Sequence, residues 1–215
     1  MLQTLAPSDA ITPAVACDDA VPSRTLLRVQ PTQRPYPLLE FLQRSPLLRR
    51  DIARGSPGLS LTLNMRIVDA RGRPIEHAAV YIWHYDARCW TIDFQGDELD
   101  AITCMRGVQI SDADGAVGFH TVYPRKYRDN TVPVYLQIYF NNGRQVTARS
   151  DVCLLLPQEA DGPLKGVPLA DPLPARTTRP RFSDDGDAVL LTLDRLSVDL
   201  DTGGLRGDVR IGIDL

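Results

Sequence analysis

Leu59, Leu61, Leu63, Met65 and Ile67 alternate with Ser60, Thr62, Asn64 and Arg66. A two-residue period of this kind is satisfied by an extended strand with one dry and one wet face. The pattern continues along the chain. Residues 79–85 form a second strand, rich in β-branched and aromatic residues, set off from the first by the turn at Asp69 to Pro74. Residues 106–111 form a third, and Asp112-Ala113-Asp114-Gly115 gives a tight hairpin signal before a return strand at 117–123. Residues 132–140 and 145–156 flank a second hairpin signal, Asn141-Asn142-Gly143-Arg144. Residues 188–193, 196–200 and 205–213 end the chain as a β-meander around Thr202-Gly203-Gly204. About nine strands with frequent turns and almost no helical period predict an all-β fold, an antiparallel β-sandwich or barrel.

Residues 1–45 are rich in proline and polar residues and show no period, so they read as an extended N-terminal arm, with a short helix expected at 37–43. Residues 46–215 read as the folded domain. Its loops at 86–105 and 157–187 are too long for simple connections, and long loops on a rigid sheet form or cover a site. The charge balance, 24 basic against 27 acidic residues for a net −3, excludes a general nucleic-acid binder. No run of 18 apolar residues predicts a membrane helix. The start lacks a positive n-region and an apolar h-region, which predicts a cytoplasmic address. Cys17, Cys89, Cys104 and Cys153 contain no CxxC pair, so a zinc knuckle is not supported and free thiols are expected.

Several ordered segments carry a resemblance. They are Leu47-Leu48-Arg49-Arg50-Asp51-Ile52, Ser56-Pro57-Gly58-Leu59, Val68-Asp69-Ala70-Arg71-Gly72-Arg73-Pro74, Ala79-Val80-Tyr81-Ile82-Trp83-His84-Tyr85-Asp86-Ala87, Arg106-Gly107-Val108-Gln109-Ile110-Ser111-Asp112, and Thr121-Val122-Tyr123-Pro124 with Tyr127. In register they resemble the intradiol ring-cleavage dioxygenases across residues 45–157, with a looser match beyond. The resemblance implies a β-sandwich, and, in ordinary members, ferric iron, molecular oxygen and a catechol substrate. It also implies chains that pair, so a homodimer is expected.

The family holds its iron through two tyrosines and a His-x-His pair. The first tyrosine position falls best on Trp90, whose indole has no lone pair for a metal. The second falls on Tyr127, and the His-x-His pair falls on Pro133-Val134-Tyr135. The family's substrate-positioning arginine falls near Asn130, and a glutamine of its later strand falls on Cys153. One ligand of four is retained, so no metal and no cofactor is expected.

The cleft implied by the resemblance is lined by Tyr127, Tyr135, Trp90, Arg106, Cys104, Cys153 and Asn130. Tyr127, Arg106 and Tyr135 are the candidate catalytic residues, because phenols and a guanidinium can donate to a developing oxyanion. Trp90, Cys104, Cys153 and Asn130 are candidate substrate contacts. The ligand expected is a small molecule, planar or aromatic, or polyketide-like. Each residue also has a bland reading. Tyr127 can anchor its loop, Tyr135 can be a packed strand aromatic, and Arg106 can support the loops through a salt bridge. Trp83 reads as core, facing the other sheet, and His84 as a satisfied structural imidazole. Asp184-Asp185-Gly186-Asp187 lacks the spaced ligands of a calcium loop and reads as a solvated turn.

Three functions stay open. The first is a metal-independent enzyme of secondary metabolism, performing a cyclisation, isomerisation or dehydration. The second is a noncatalytic binding or structural pseudoenzyme. The third is a ferric dioxygenase with a rebuilt metal site.

Overall fold

Alternation in sequence becomes alternation in burial. A computed structural model of the chain describes residues 26–31, 45–85, 105–127, 129, 131–141, 146–157, 162–165 and 189–214. In chain order its strands are β1 (Leu26–Arg28), β2 (Gln30–Pro31), β3 (Ser60–Asp69), β4 (Ala79–Trp83), β5 (Arg106–Ile110) and β6 (Ala116–Val122). They continue with β7 (Val132–Asn141), β8 (Val146–Leu156), β9 (Val189–Thr192), β10 (Arg195–Val198) and β11 (Leu205–Asp214). On β3 the alternate residues Leu61, Leu63, Met65 and Ile67 are buried, while Thr62, Asn64 and Arg66 are not. Each such buried aliphatic side chain contributes about 1.5–3 kcal/mol through removal from water.

Two sheets pack face to face. One has the order β1-β11-β3-β6, with β10 also on β11; the other has the order β2-β8-β7-β4-β5, with β9 also on β8. Phe119 and Leu63 from the first sheet and Val80, Ile82, Leu136 and Leu154 from the second meet in one apolar core. The fold is an all-β sandwich, as the strand pattern predicts. Most pairings are antiparallel, but β1 with β11, β11 with β3, and β8 with β9 run parallel.

Three sequence expectations change. The segment Asp112 to Gly115 does turn the chain, with Asp112 Oδ1 accepting from the Asp114 and Ala116 amides and Gly115 at φ 69°. The strands it joins then part into different sheets, so it is a crossing between layers rather than a hairpin. The C-terminal strands are not a meander either. Strand β9 joins β8 in one sheet, and β10 pairs with β11 in the other. Finally, residues 26–31, within the stretch read as an arm, supply a strand to each sheet, and Leu27 is fully buried. The expected helix at 37–43, the loop tips at 86–104 and 166–188, and the turn at 142–145 lie outside the described residues.

A strap closes the seam where the two sheets part. Leu48 bridges to Val108 on β5, and Asp51 bridges to His120 on β6. The amides of Arg49 and Ile52 donate to the carbonyls of Val108 and His120 at 3.2 and 2.9 Å. The strap approaches this closely because β5 has Gly107 there. A Cβ on Gly107 would stand 2.5 Å from Ile52 Cγ2 and 3.0 Å from the Arg49 carbonyl. Ile52 uses the space and is fully buried.

Candidate active site

Strand parity gives the six-stranded sheet a second, outward face. Val80 and Ile82 of β4 turn into the sandwich core, so Ala79, Tyr81 and Trp83 turn away from it. The same parity turns Pro133, Tyr135, Gln137 and Tyr139 of β7 outward, and Asp151 and Cys153 of β8 with them. One row across this face reads Arg106, Trp83, Tyr135, Cys153 and Leu190, each opposite the next in register. Residues so paired have Cβ atoms about 5 Å apart and touch.

Trp83 is therefore not a core residue facing the other sheet, as its neighbours in sequence suggest. Its ring stacks with two phenols on the outward face. The centroids lie 5.1 Å from Tyr81 and 5.5 Å from Tyr135, with interplanar angles of 29° and 22°. His84 takes the inward position instead. It is buried, and its Nε2 meets Thr121 Oγ1 at 2.7 Å between the sheets. The Thr121 hydroxyl proton points to Met105 Sδ, which leaves Oγ1 to accept from the imidazole.

Tyr127 reaches the same face from the loop between β6 and β7. The loop is set by local bonds. Tyr127 N donates to the Thr131 carbonyl at 2.7 Å, and Arg125 N donates to the Tyr85 carbonyl at 3.2 Å. Asp129 Oδ1 accepts from both the amide and the hydroxyl of Thr131, at 3.1 and 2.7 Å, an Asx turn that fixes the bend. The result buries Tyr127 and brings its hydroxyl 3.3 Å from that of Tyr135, which donates to it. Tyr85 presents its ring edge-on to Tyr127, with centroids 6.3 Å apart.

Arg106 opens β5 opposite Trp83. Its Nη1 donates to the Tyr81 hydroxyl at 3.4 Å. Its own carbonyl accepts from Arg49 Nε and Nη2 at 3.0 and 2.7 Å, so the strap fixes the position of this residue. Burial pushes the Tyr85 phenol above its ordinary range, and the nearby Arg106 cation offsets only part of that rise. Tyr85 thus stays a neutral donor at physiological pH.

Of the sequence-predicted residues, Tyr127, Tyr135, Arg106 and Cys153 fall on this one face. Trp90, Cys104 and Asn130 lie outside the described residues. Tyr85 and Trp83 join the site without having been singled out for it. The available signal was the parity of β4: once Ile82 is inward, Trp83 must be outward.

Pro133 and Tyr135 share the outward parity that the His-x-His positions require. All three histidines of the chain are described, and none stands in the row. His77 lies against the Glu76 carboxylate, His84 turns between the sheets, and His120 bonds Thr62 Oγ1. Among the described residues no group of three or more His, Cys, Asp or Glu side chains could hold a metal ion. What the face offers is a set of hydrogen-bond donors on flat rings: the phenols of Tyr81, Tyr85, Tyr127 and Tyr135, the Arg106 guanidinium and the buried, unbridged Cys153 thiol. Such a set orients a planar molecule and stabilises negative charge on its oxygens.

The sequence model of the family described as Dioxygenase matches residues 40–147. No curated protein matches the chain. Among solved structures, the chain is similar in fold to the intradiol ring-cleavage dioxygenase from Tetranychus urticae. Identity is 18%, coverage is 87% of this chain and 94% of that one, and the TM-score is 0.49. It is also similar to the dioxygenase domain of a dioxygenase–carbohydrate-binding protein fusion from Streptomyces sp. SirexAA-E. There identity is 21%, coverage is 78% and 88%, and the TM-score is 0.47. Catechol 1,2-dioxygenase from Pseudomonas arvilla C-1 is 18% identical, with coverage of 75% of this chain and 54% of that one and a TM-score of 0.45.

Proposed function

We propose a function for this chain from the premise that it belongs to the intradiol ring-cleavage dioxygenase family: it is a metal-independent enzyme on that fold. The observation that carries the reading is the phenol pair, Tyr135 to Tyr127 at 3.3 Å, two residues that the resemblance aligns with ligand positions of the family's iron. A ferric centre of the family type needs two imidazoles from the strand that here presents Pro133 and Tyr135, and it does not fit these residues. No step is routed through iron.

The chemistry left to this face is orientation and polarisation. Trp83, stacked with Tyr81 and Tyr135, offers flat apolar surface to a planar aromatic or polyketide-like substrate. Tyr127, which accepts from Tyr135, directs its own hydroxyl proton toward a substrate oxygen. Arg106 stabilises charge on the same molecule. Donors held in place before the reaction need no reorganisation when charge develops, which suits a cyclisation, isomerisation or dehydration. Trp90, Cys104, Cys153 and Asn130 are proposed as substrate contacts, and a cytoplasmic homodimer belongs to the same proposal. Among the described residues no helix is long and apolar enough to cross a membrane.

A chelator series tests the reading. Turnover by the purified chain should be unchanged after exhaustive dialysis against a strong iron chelator, and added ferric or ferrous iron should not raise it. Activity lost to the chelator and restored by iron would favour a rebuilt metal site. A protein that binds its small molecule and never converts it would favour a binding pseudoenzyme.

A further inference from the structure

The charge of Arg106 is not neutralised by any carboxylate among the described residues. The residue is half-buried. Its guanidinium makes one hydrogen bond among the described residues, the long one to the Tyr81 hydroxyl at 3.4 Å. The ion pairs described in the structure are made by Arg73, His77, Arg149 and Arg206. Asp151 lies in the adjoining row of the same face, but its carboxylate is already engaged. It accepts from Gln137 Nε2 at 3.0 Å and pairs with Arg149 Nη2 at 3.3 Å. A second cation, Arg49, stands behind Arg106 on the strap. A half-buried guanidinium with donors that no described residue takes up, beside phenols, is suited to receive an anion.

The same inventory limits which anion. The row itself holds a guanidinium, an indole, a phenol and a thiol, and among the described residues it has no carboxylate or imidazole to take a proton from the ligand. A ligand that arrives already ionised suits that inventory. A catechol, neutral at pH 7, does not meet that condition without a metal. The enol of a cyclic 1,3-dicarbonyl compound does, since the ring holds it planar and it sheds its proton below pH 7. Resting on the functional reading above, we propose that the site takes the planar enolate of a cyclic 1,3-dicarbonyl compound, its ring against Trp83 and its oxyanion between Arg106 and the Tyr127–Tyr135 pair.

Calorimetric titration with two matched probes tests this on the full chain. 4-Hydroxycoumarin is a planar enolate at pH 7.5, and 4-methoxycoumarin has the same rings with no charge. The enolate should bind about tenfold more tightly or better, the effect of one charge-assisted contact. Arg106→Gln should erase the preference and leave 4-methoxycoumarin within about twofold of its wild-type affinity. Arg106→Lys, which keeps the charge, should keep part of the preference and serves if the glutamine variant does not fold. Equal binding of the two probes by the wild-type chain would overturn the enolate inference and leave the planar-ligand reading standing. A preference that survives in Arg106→Gln would place the anion elsewhere and overturn it too. Binding of neither probe would remove both the inference and the reading on which it rests.

Discussion

Tyr127→Phe should lower turnover about 100-fold while leaving the fold intact, the usual loss when one donor aimed at a developing oxyanion is removed. The substitution keeps the ring, its edge-on contact with Tyr85 and the backbone bond from Tyr127 N to Thr131. It deletes the hydroxyl that accepts from Tyr135. The hydroxyl pair acts as a unit, so Tyr135→Phe should cost a similar factor, and the double variant little more than either single one. Urea midpoints should stay close to wild type in all three, because the bond between the two hydroxyls is a long one of 3.3 Å. Turnover within twofold of wild type in Tyr127→Phe would take the phenol pair out of the chemistry.

The second large effect comes from a residue with no functional group. Gly107→Val should destabilise the chain by about 3 kcal/mol, the upper end of ordinary overpacking costs. For a chain of this size that lowers Tm by about 6–12 °C. The added side chain meets Ile52 and the Arg49 carbonyl, so the strap must lift from β5. Lifting it also releases the Arg49 bonds to the Arg106 carbonyl, and affinity for an anionic probe should fall with the Tm. Ile52→Ala combined with Gly107→Ala should be less harmful than the two single losses added together, since the first makes room for the second. Thermal melts of the four chains read this directly, and strict additivity would mean that the strap and β5 do not compete for that space.

The strands were legible because a two-residue period is a local property. Leu61 to Ile67 had to share a face, and a sheet buries one face whatever the rest of the chain does. Which face of β4 turns inward was not legible in the same way. Val80, Ile82, Tyr81 and Trp83 are all apolar or aromatic, so the sequence offers no polar side to break the tie. The structure turns the aliphatic pair into the core and leaves the aromatic pair for the site, which is why Trp83 was misplaced and Tyr85 overlooked. Sheet membership was also beyond local reading. The turn at Asp112 to Gly115 has the chemistry of a hairpin, yet it joins β5 in one sheet to β6 in the other. The split depends on the strap at 47–52, whose bridges lie 60 and 69 residues away in sequence, Leu48 to Val108 and Asp51 to His120. The convergence of Tyr127, Tyr135, Arg106 and Cys153 followed from the motif positions carried by the resemblance, and register alone places Tyr135 between Trp83 and Cys153.

Metal analysis of the chain purified from iron-rich medium, read beside its visible absorption spectrum, tests the central claim most directly. The account predicts iron far below one atom per chain and a colourless protein. Stoichiometric iron with a visible phenolate-to-iron charge-transfer band, lost in Tyr127→Phe, would contradict it.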